Sequence, residues 1–187
     1  GMHSFYDLRG VTIKIDSKVA ALVGSPIHRY VDVLVSGDNL IIRGLTLTNT
    51  GNHRNASNAK TLDVEGNRNL MQGLEITSRG STPYGYGSLV LFWSGNERGF
   101  RVTKRSALLA GGDENVYVDC DIHQRAIGHA IMFGANNSNT FIDCMIDAEK
   151  RSTDDILEET SGRLHRQDFG SRTSFGPSSG RGKTDPG

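Results

Sequence analysis

The chain has 187 residues, with 21 basic residues balanced by 21 acidic ones and 23 glycines against 4 prolines. Zero formal charge excludes a general binder of nucleic acid or anionic membrane, which needs a net basic field or a dense basic patch. No apolar run reaches the ~20 residues of a membrane-spanning helix, so neither nucleic acid nor membrane is expected as a partner. Glycine exceeds its ordinary share of about 7% without the every-third-residue pattern of collagen. No basic-then-apolar leader opens the chain, and Gly1-Met2 reads as a tag-cleavage remnant before a native start.

A six-residue box (apolar, any, Gly or Asp, apolar, any, apolar) recurs along the chain. It begins at Leu8-Arg9-Gly10-Val11-Thr12-Ile13 and returns as Ile42-Arg43-Gly44-Leu45-Thr46-Leu47 and Met71-Gln72-Gly73-Leu74-Glu75-Ile76. It comes again as Tyr117-Val118-Asp119-Cys120-Asp121-Ile122 and Phe141-Ile142-Asp143-Cys144-Met145-Ile146. The spacings are 34, 29, 46 and 24 residues, and the 46 suggests a degenerate turn hidden near Phe100-Arg101-Val102. Between the boxes, strand-like runs end in Gly37, Gly66, Gly95, Gly111 and Gly134, at gaps of 29, 29, 16 and 23. Short apolar alternation predicts strands. After the last box, Ser152 to Gly162 reads as one short helix, with Ser152 as N-cap and Asp154 and Asp155 in its first turn. Residues 163–187 lose all periodicity and read as a Gly/Ser/Arg-rich tail. The expected division is 1–151 for the repeat domain and 152–187 for the helix and tail.

Two or three short strands per irregular period predict a solenoid in which each turn buries its apolar edge against the next, about 4.8 Å away. The repeat resembles the right-handed parallel β-helix proteins, the pectate-lyase-like superfamily, over roughly residues 5 to 150. That resemblance implies an all-β, right-handed parallel β-helix of about six coils. It also favours an extracellular or periplasmic location and a polysaccharide or oligosaccharide partner. Stacked in these columns, Val35, Val64, Trp93, Leu109 and Met132 should point inward, as should Val33, Leu62, Leu91, Ala107 and Ala130. Cys120 and Cys144 share a box position, which predicts a buried thiol ladder rather than a bridge. The N-terminal coil has no capping helix ahead of it, which leaves an open parallel edge.

Three groups of residues could carry chemistry. Residues after each box stack as Thr48, Thr77, His123 and Asp147, and then as Thr50, Arg79, Arg125 and Glu149. A lyase acting on a uronic-acid polymer needs a cation to neutralise the carboxylate and a base to take the α-proton. Arg125 and His123, with Arg79 or Lys104, supply those types. The outer face of the glycine-ended strands turns apolar toward the C-terminus through Leu108 and Ile131, with Phe92 and Phe133 as candidate sugar stackers and His129 at its edge. Tyr84 and Tyr86 sit in a projecting glycine-rich loop and could join them. The same apolar face, or the open N-terminal coil, could instead join subunits in a homo-oligomer. Asp119 and Asp143 should stand one coil apart. They either bind a cation, for which calcium is the natural choice, or replace glycine at the bend; no cofactor is otherwise required. Signature blocks of the superfamily's polygalacturonase and pectate-lyase branches are missing, and Gly128-His129-Ala130 is only a fragment of the first. The expected function is carbohydrate-associated, as a polysaccharide lyase working by β-elimination. The alternative is a non-catalytic glycan-binding or subunit-interaction solenoid, or a piece of a longer β-helix enzyme.

Overall fold

In a computed structural model, each box spans a corner where one strand ends and the next begins. The structure describes residues 4–19, 31–51, 59–80, 105–126, 128–134 and 138–149. Lys104, Tyr84, Tyr86, Phe92, the helix expected at 152–162 and the tail lie outside the described residues. Everything described belongs to one compact unit, drawn from residues 1–81 and 103–149.

The strands are β1 (Ser4–Asp7), β2 (Thr12–Asp16), β3 (Val31–Val35), β4 (Leu40–Arg43), β5 (Thr46–Thr50), β6 (Ala59–Val64) and β7 (Leu70–Gln72). They continue as β8 (Glu75–Gly80), β9 (Arg105–Ala110), β10 (Val116–Val118), β11 (Asp121–Ala126), β12 (Ile131–Phe133), β13 (Thr140–Ile142) and β14 (Met145–Ala148). Strand makes up 63% of the described residues. Every third strand pairs, always in parallel. The first sheet runs β1-β4-β7-β10-β13, the second β2-β5-β8-β11-β14 and the third β3-β6-β9-β12. Three parallel sheets threaded in rotation make a β-solenoid. Apart from a helical turn at residues 17–19, the described residues contain no helix, and none is long and apolar enough to cross a membrane.

Corners between the first and second sheets share one backbone device. Gly10, Gly44, Gly73, Asp119 and Asp143 all have φ between +51° and +81°. That left-handed region is open to glycine and tolerated by Asp, whose short side chain bonds locally. The Asp boxes and the Gly boxes therefore make the same bend. Inward from it, Leu47, Ile76 and Ile122 stack in one buried column and Ile42, Met71 and Tyr117 in another. The Tyr117 ring lies flat on Phe141, 4.5 Å between centroids. Cys120 and Cys144 are free thiols in this interior, Cys120 the deeper of the two. Burial pushes the Cys120 thiol up to about 12.

Three expectations need correction. The first box is not in simple register, because β1 pairs Tyr6 with Ile42 and Asp7 with Arg43 while β2 pairs Thr12 with Thr46. Leu8 and Arg9 are thus a two-residue insertion closed by a turn, Val11 N–H donating to Leu8 O at 2.9 Å. Secondly, no rung stands between the coils of the third and fourth boxes, because β6 pairs directly with β9, β7 with β10 and β8 with β11; Phe100–Val102 lie outside the described residues.

Thirdly, the third sheet is shifted by one residue from the expected columns. Val64 faces Ala110, and Leu62 faces Leu108, which in turn faces Ile131. A one-residue slip exchanges the two faces of a strand. Leu108 and Ile131 therefore pack on the core with Val33 and Leu62, and Phe133 follows Val35, Val64 and Ala110. The apolar outer face expected from Leu108, Ile131 and Phe133 is not formed by them. The reason lies at the neighbouring turn. Gly112, not Gly111, stacks on Gly66, and Gly66 on Gly37; a Cβ at either Gly66 or Gly112 would run into the carbonyl below.

Polar side chains tie the rungs at the turns between the third and first sheets. Asn139 Oδ1 accepts from Asn115 N–H, Asn115 from Asn69 N–H and Asn69 from Leu40 N–H, at 2.8–2.9 Å. Asn115 also donates to Gly66 O at 2.9 Å. Beside this ladder Asp38 accepts from Asn67 N–H, and Asn67 from Asp113 N–H. Each bond satisfies a turn backbone group that the sheets leave over.

Candidate active site on the outer face of the second sheet

The residues expected to stack after each box continue the strands of the second sheet instead of forming turns. On β11 the buried side chains are Ile122, Gln124 and Ala126, so Asp121, His123 and Arg125 face outward. Parallel register then sets the neighbours. His123 stands between Thr77 on β8 and Asp147 on β14, and Arg125 beside Arg79. Thr48 continues the first column on β5 and Lys14 on β2. The expected column Thr48–Thr77–His123–Asp147 is present as read.

Asp147 organises the cluster. Its Oδ2 takes a hydrogen bond from the Arg125 guanidinium and lies 3.6 Å from His123 Nδ1. The latter is ion-pair range, longer than a hydrogen bond. The Arg125 bond holds the Asp147 carboxyl below the usual carboxylate range, with His123 adding to the effect. Arg79 is exposed on the adjacent strand and has no ion-pair partner among the described residues. The Asp147 carboxylate, the His123 imidazole and the Arg79 and Arg125 guanidinium groups thus share a solvent-facing patch whose strands set their spacing.

The other named candidates lie elsewhere. His129 is exposed just before β12, its carbonyl accepting from Ala107 N–H at 3.0 Å. Phe133 ends β12 and meets Phe141 edge-on, 5.9 Å between centroids. Neither stands on the second sheet with His123. Asp119 and Asp143 sit exposed at the left-handed bends. No set of three or more His, Cys, Asp or Glu side chains among the described residues is placed to hold a metal ion.

A second polar cluster is buried beneath the third sheet's edge, and its Arg105–Asp32 pair has no sequence signal. Where the second sheet leads toward the third, Asn49, Ser78 and Gln124 are buried in one column. Arg105 Nη1 reaches Asp32 Oδ2 at 2.5 Å, both side chains almost wholly buried. Asn49 donates to the same Asp32 oxygen at 2.6 Å, and Thr61 Oγ1 to Asn49 Oδ1 at 2.6 Å. Burial outweighs the pull of Arg105 and Asn49 and raises the Asp32 carboxyl. The adjacent Lys60 and Asp63 are buried 3.7 Å apart. A buried ion pair is costly to desolvate and costlier to break, which suits a structural corner better than a reacting group. No protein-family model matches the chain, and neither does any curated protein.

Proposed function

We propose that this chain is a carbohydrate-associated, right-handed parallel β-helix of the pectate-lyase-like type, with one coil per box, and that it cleaves a uronic-acid polymer by β-elimination. The observation that carries this reading is the shared carboxylate: Asp147 lies against both His123 Nδ1 and Arg125, with Arg79 in register beside Arg125. A carboxylate near Nδ1 favours the tautomer with its proton there, which leaves the Nε2 lone pair to act as a base. Arg79 is the guanidinium left to neutralise the uronate carboxylate, which makes the α-proton acidic.

His123 Nε2 takes that proton. The C–H electron pair becomes the ring double bond, and the β-glycosidic oxygen leaves with its bonding pair. The imidazolium then protonates the leaving oxygen, returning His123 to neutrality. Arg125 holds Asp147 in place and needs no direct contact with the sugar. No metal enters these steps.

A second reading, a glycan-binding or subunit-interaction module without catalysis, is favoured by the engagement of Arg125 with Asp147, which leaves a single uncommitted guanidinium in the patch. The two readings separate on one assay. Ultraviolet absorbance of the unsaturated uronate should rise on alginate, pectate or a glycosaminoglycan, and His123→Ala should abolish the rise. A flat trace on all three polymers, with oligosaccharide bound nonetheless, would leave the binding module.

A further inference from the structure

The rungs at the two ends of the described solenoid expose side chains that every inner rung buries. At one end these are Tyr6, Val11, Ile13 and Leu34; at the other, Phe133 and Ile146. Ile13 belongs to the column Ile13–Leu47–Ile76–Ile122–Ile146, yet it is 37% exposed and Ile146 51%, against 1% for the three between. Tyr6 and Phe141 likewise open and close the column Tyr6–Ile42–Met71–Tyr117–Phe141. Strands β1, β2 and β3 lie outermost in their sheets on one side, and β12, β13 and β14 on the other.

We infer that the two ends are complementary and that a second copy of this chain stacks head to tail, its first rung on the last rung of its neighbour. Translation along the solenoid axis brings β2 beside β14 and β1 beside β13, both parallel as within the chain, while the third sheet, one strand shorter, leaves the width of one strand between β3 and β12. The columns of the first two sheets then continue: Ile13 of the second copy covers Ile146, and Tyr6 extends the Tyr117–Phe141 ring stack. Charge agrees at the centre of the outer face, where Lys14 of the second copy comes next to Asp147. Asp16 beside Glu149 at the margin is the one like-charged pairing on that face. A head-to-tail contact of this kind does not close, so it builds open filaments rather than a dimer. An end-to-end contact between identical ends would reverse strand direction and leave the columns unmatched.

The test uses two blocked variants, Ile13→Lys and Ile146→Lys, both at exposed positions, with circular dichroism to check that each remains β-folded. Sedimentation velocity should show wild-type mass growing with concentration, each variant alone as a monomer, and an equimolar mixture of the two as a dimer that grows no further. In that mixture each partner supplies the open end the other lacks. A wild-type protein that stays monomeric at all concentrations overturns the inference, as does either variant self-associating alone or a mixture that remains monomeric.

Discussion

A single atom decides what Gly112 can be. Its missing Cβ would occupy the space of the Gly66 carbonyl, so Gly112→Ala must push two rungs apart. Overpacking of this kind costs about 1–3 kcal/mol and should appear as a lower urea midpoint with an unchanged slope. Asp119 is the opposite case. Its φ of +52° is a conformation glycine adopts freely, so Asp119→Gly should leave stability equal or raise it by up to about 1 kcal/mol. A clear loss would mean that the carboxylate makes a contact the bend does not require. Asp147 ionises more readily folded than unfolded, because Arg125 favours its charged form. Its contribution to stability is therefore complete above the ordinary carboxylate range and is lost as pH falls through the lowered folded value. Carbon-detected titration should place its midpoint below that range and return it toward normal in Arg125→Ala; a midpoint that does not move would remove Arg125 as the cause.

Among the elements, the corner between the second and third sheets carries the largest electrostatic risk. Arg105→Met leaves the Asp32 carboxyl buried without its cation, and losing one member of a buried pair costs about 3–5 kcal/mol. Since burial already raises the Asp32 carboxyl, the sign of its pH dependence is reversed relative to Asp147. Its contribution is complete below the unfolded value and is lost as pH rises through the higher folded one. Stability curves of Arg105→Met should therefore recover toward acid pH, and a pH-independent loss would assign the cost to packing alone. The asparagine ladder makes a parallel case. Asn115→Ala strands the Asn69 N–H and removes the donor to Gly66 O, for which about 1–3 kcal/mol per buried group is expected.

These elements differ in how far their residues announced them. The column through His123 was legible because each member stands at a fixed offset from its box, and parallel strands preserve offsets. The shift in the third sheet was legible in principle: Gly66 to Gly112 is 46 residues, the same as Gly73 to Asp119, whereas Gly111 breaks that match. Asn69, Asn115 and Asn139 each stand two places before a box, a polar signal that the apolar pattern of the boxes does not carry. The Arg105–Asp32 pair spans 73 residues and depends on how two sheets meet at a corner, so no local pattern could have indicated it.

At the scale of the whole molecule, a solenoid is held by neighbours along one axis. Inner strands such as β6 and β9 are buried at every residue, while β1 is exposed throughout and β14 nearly so. On the proposed function, this stack presents a working base and carboxylate clamp on the outer face of its second sheet. Parallel assays of wild-type protein and His123→Ala on one labelled oligouronate test it most directly, reading binding by anisotropy and unsaturated product by absorbance in the same samples. The variant should bind within a few-fold of wild type and form no product. Equal product from both proteins would contradict it.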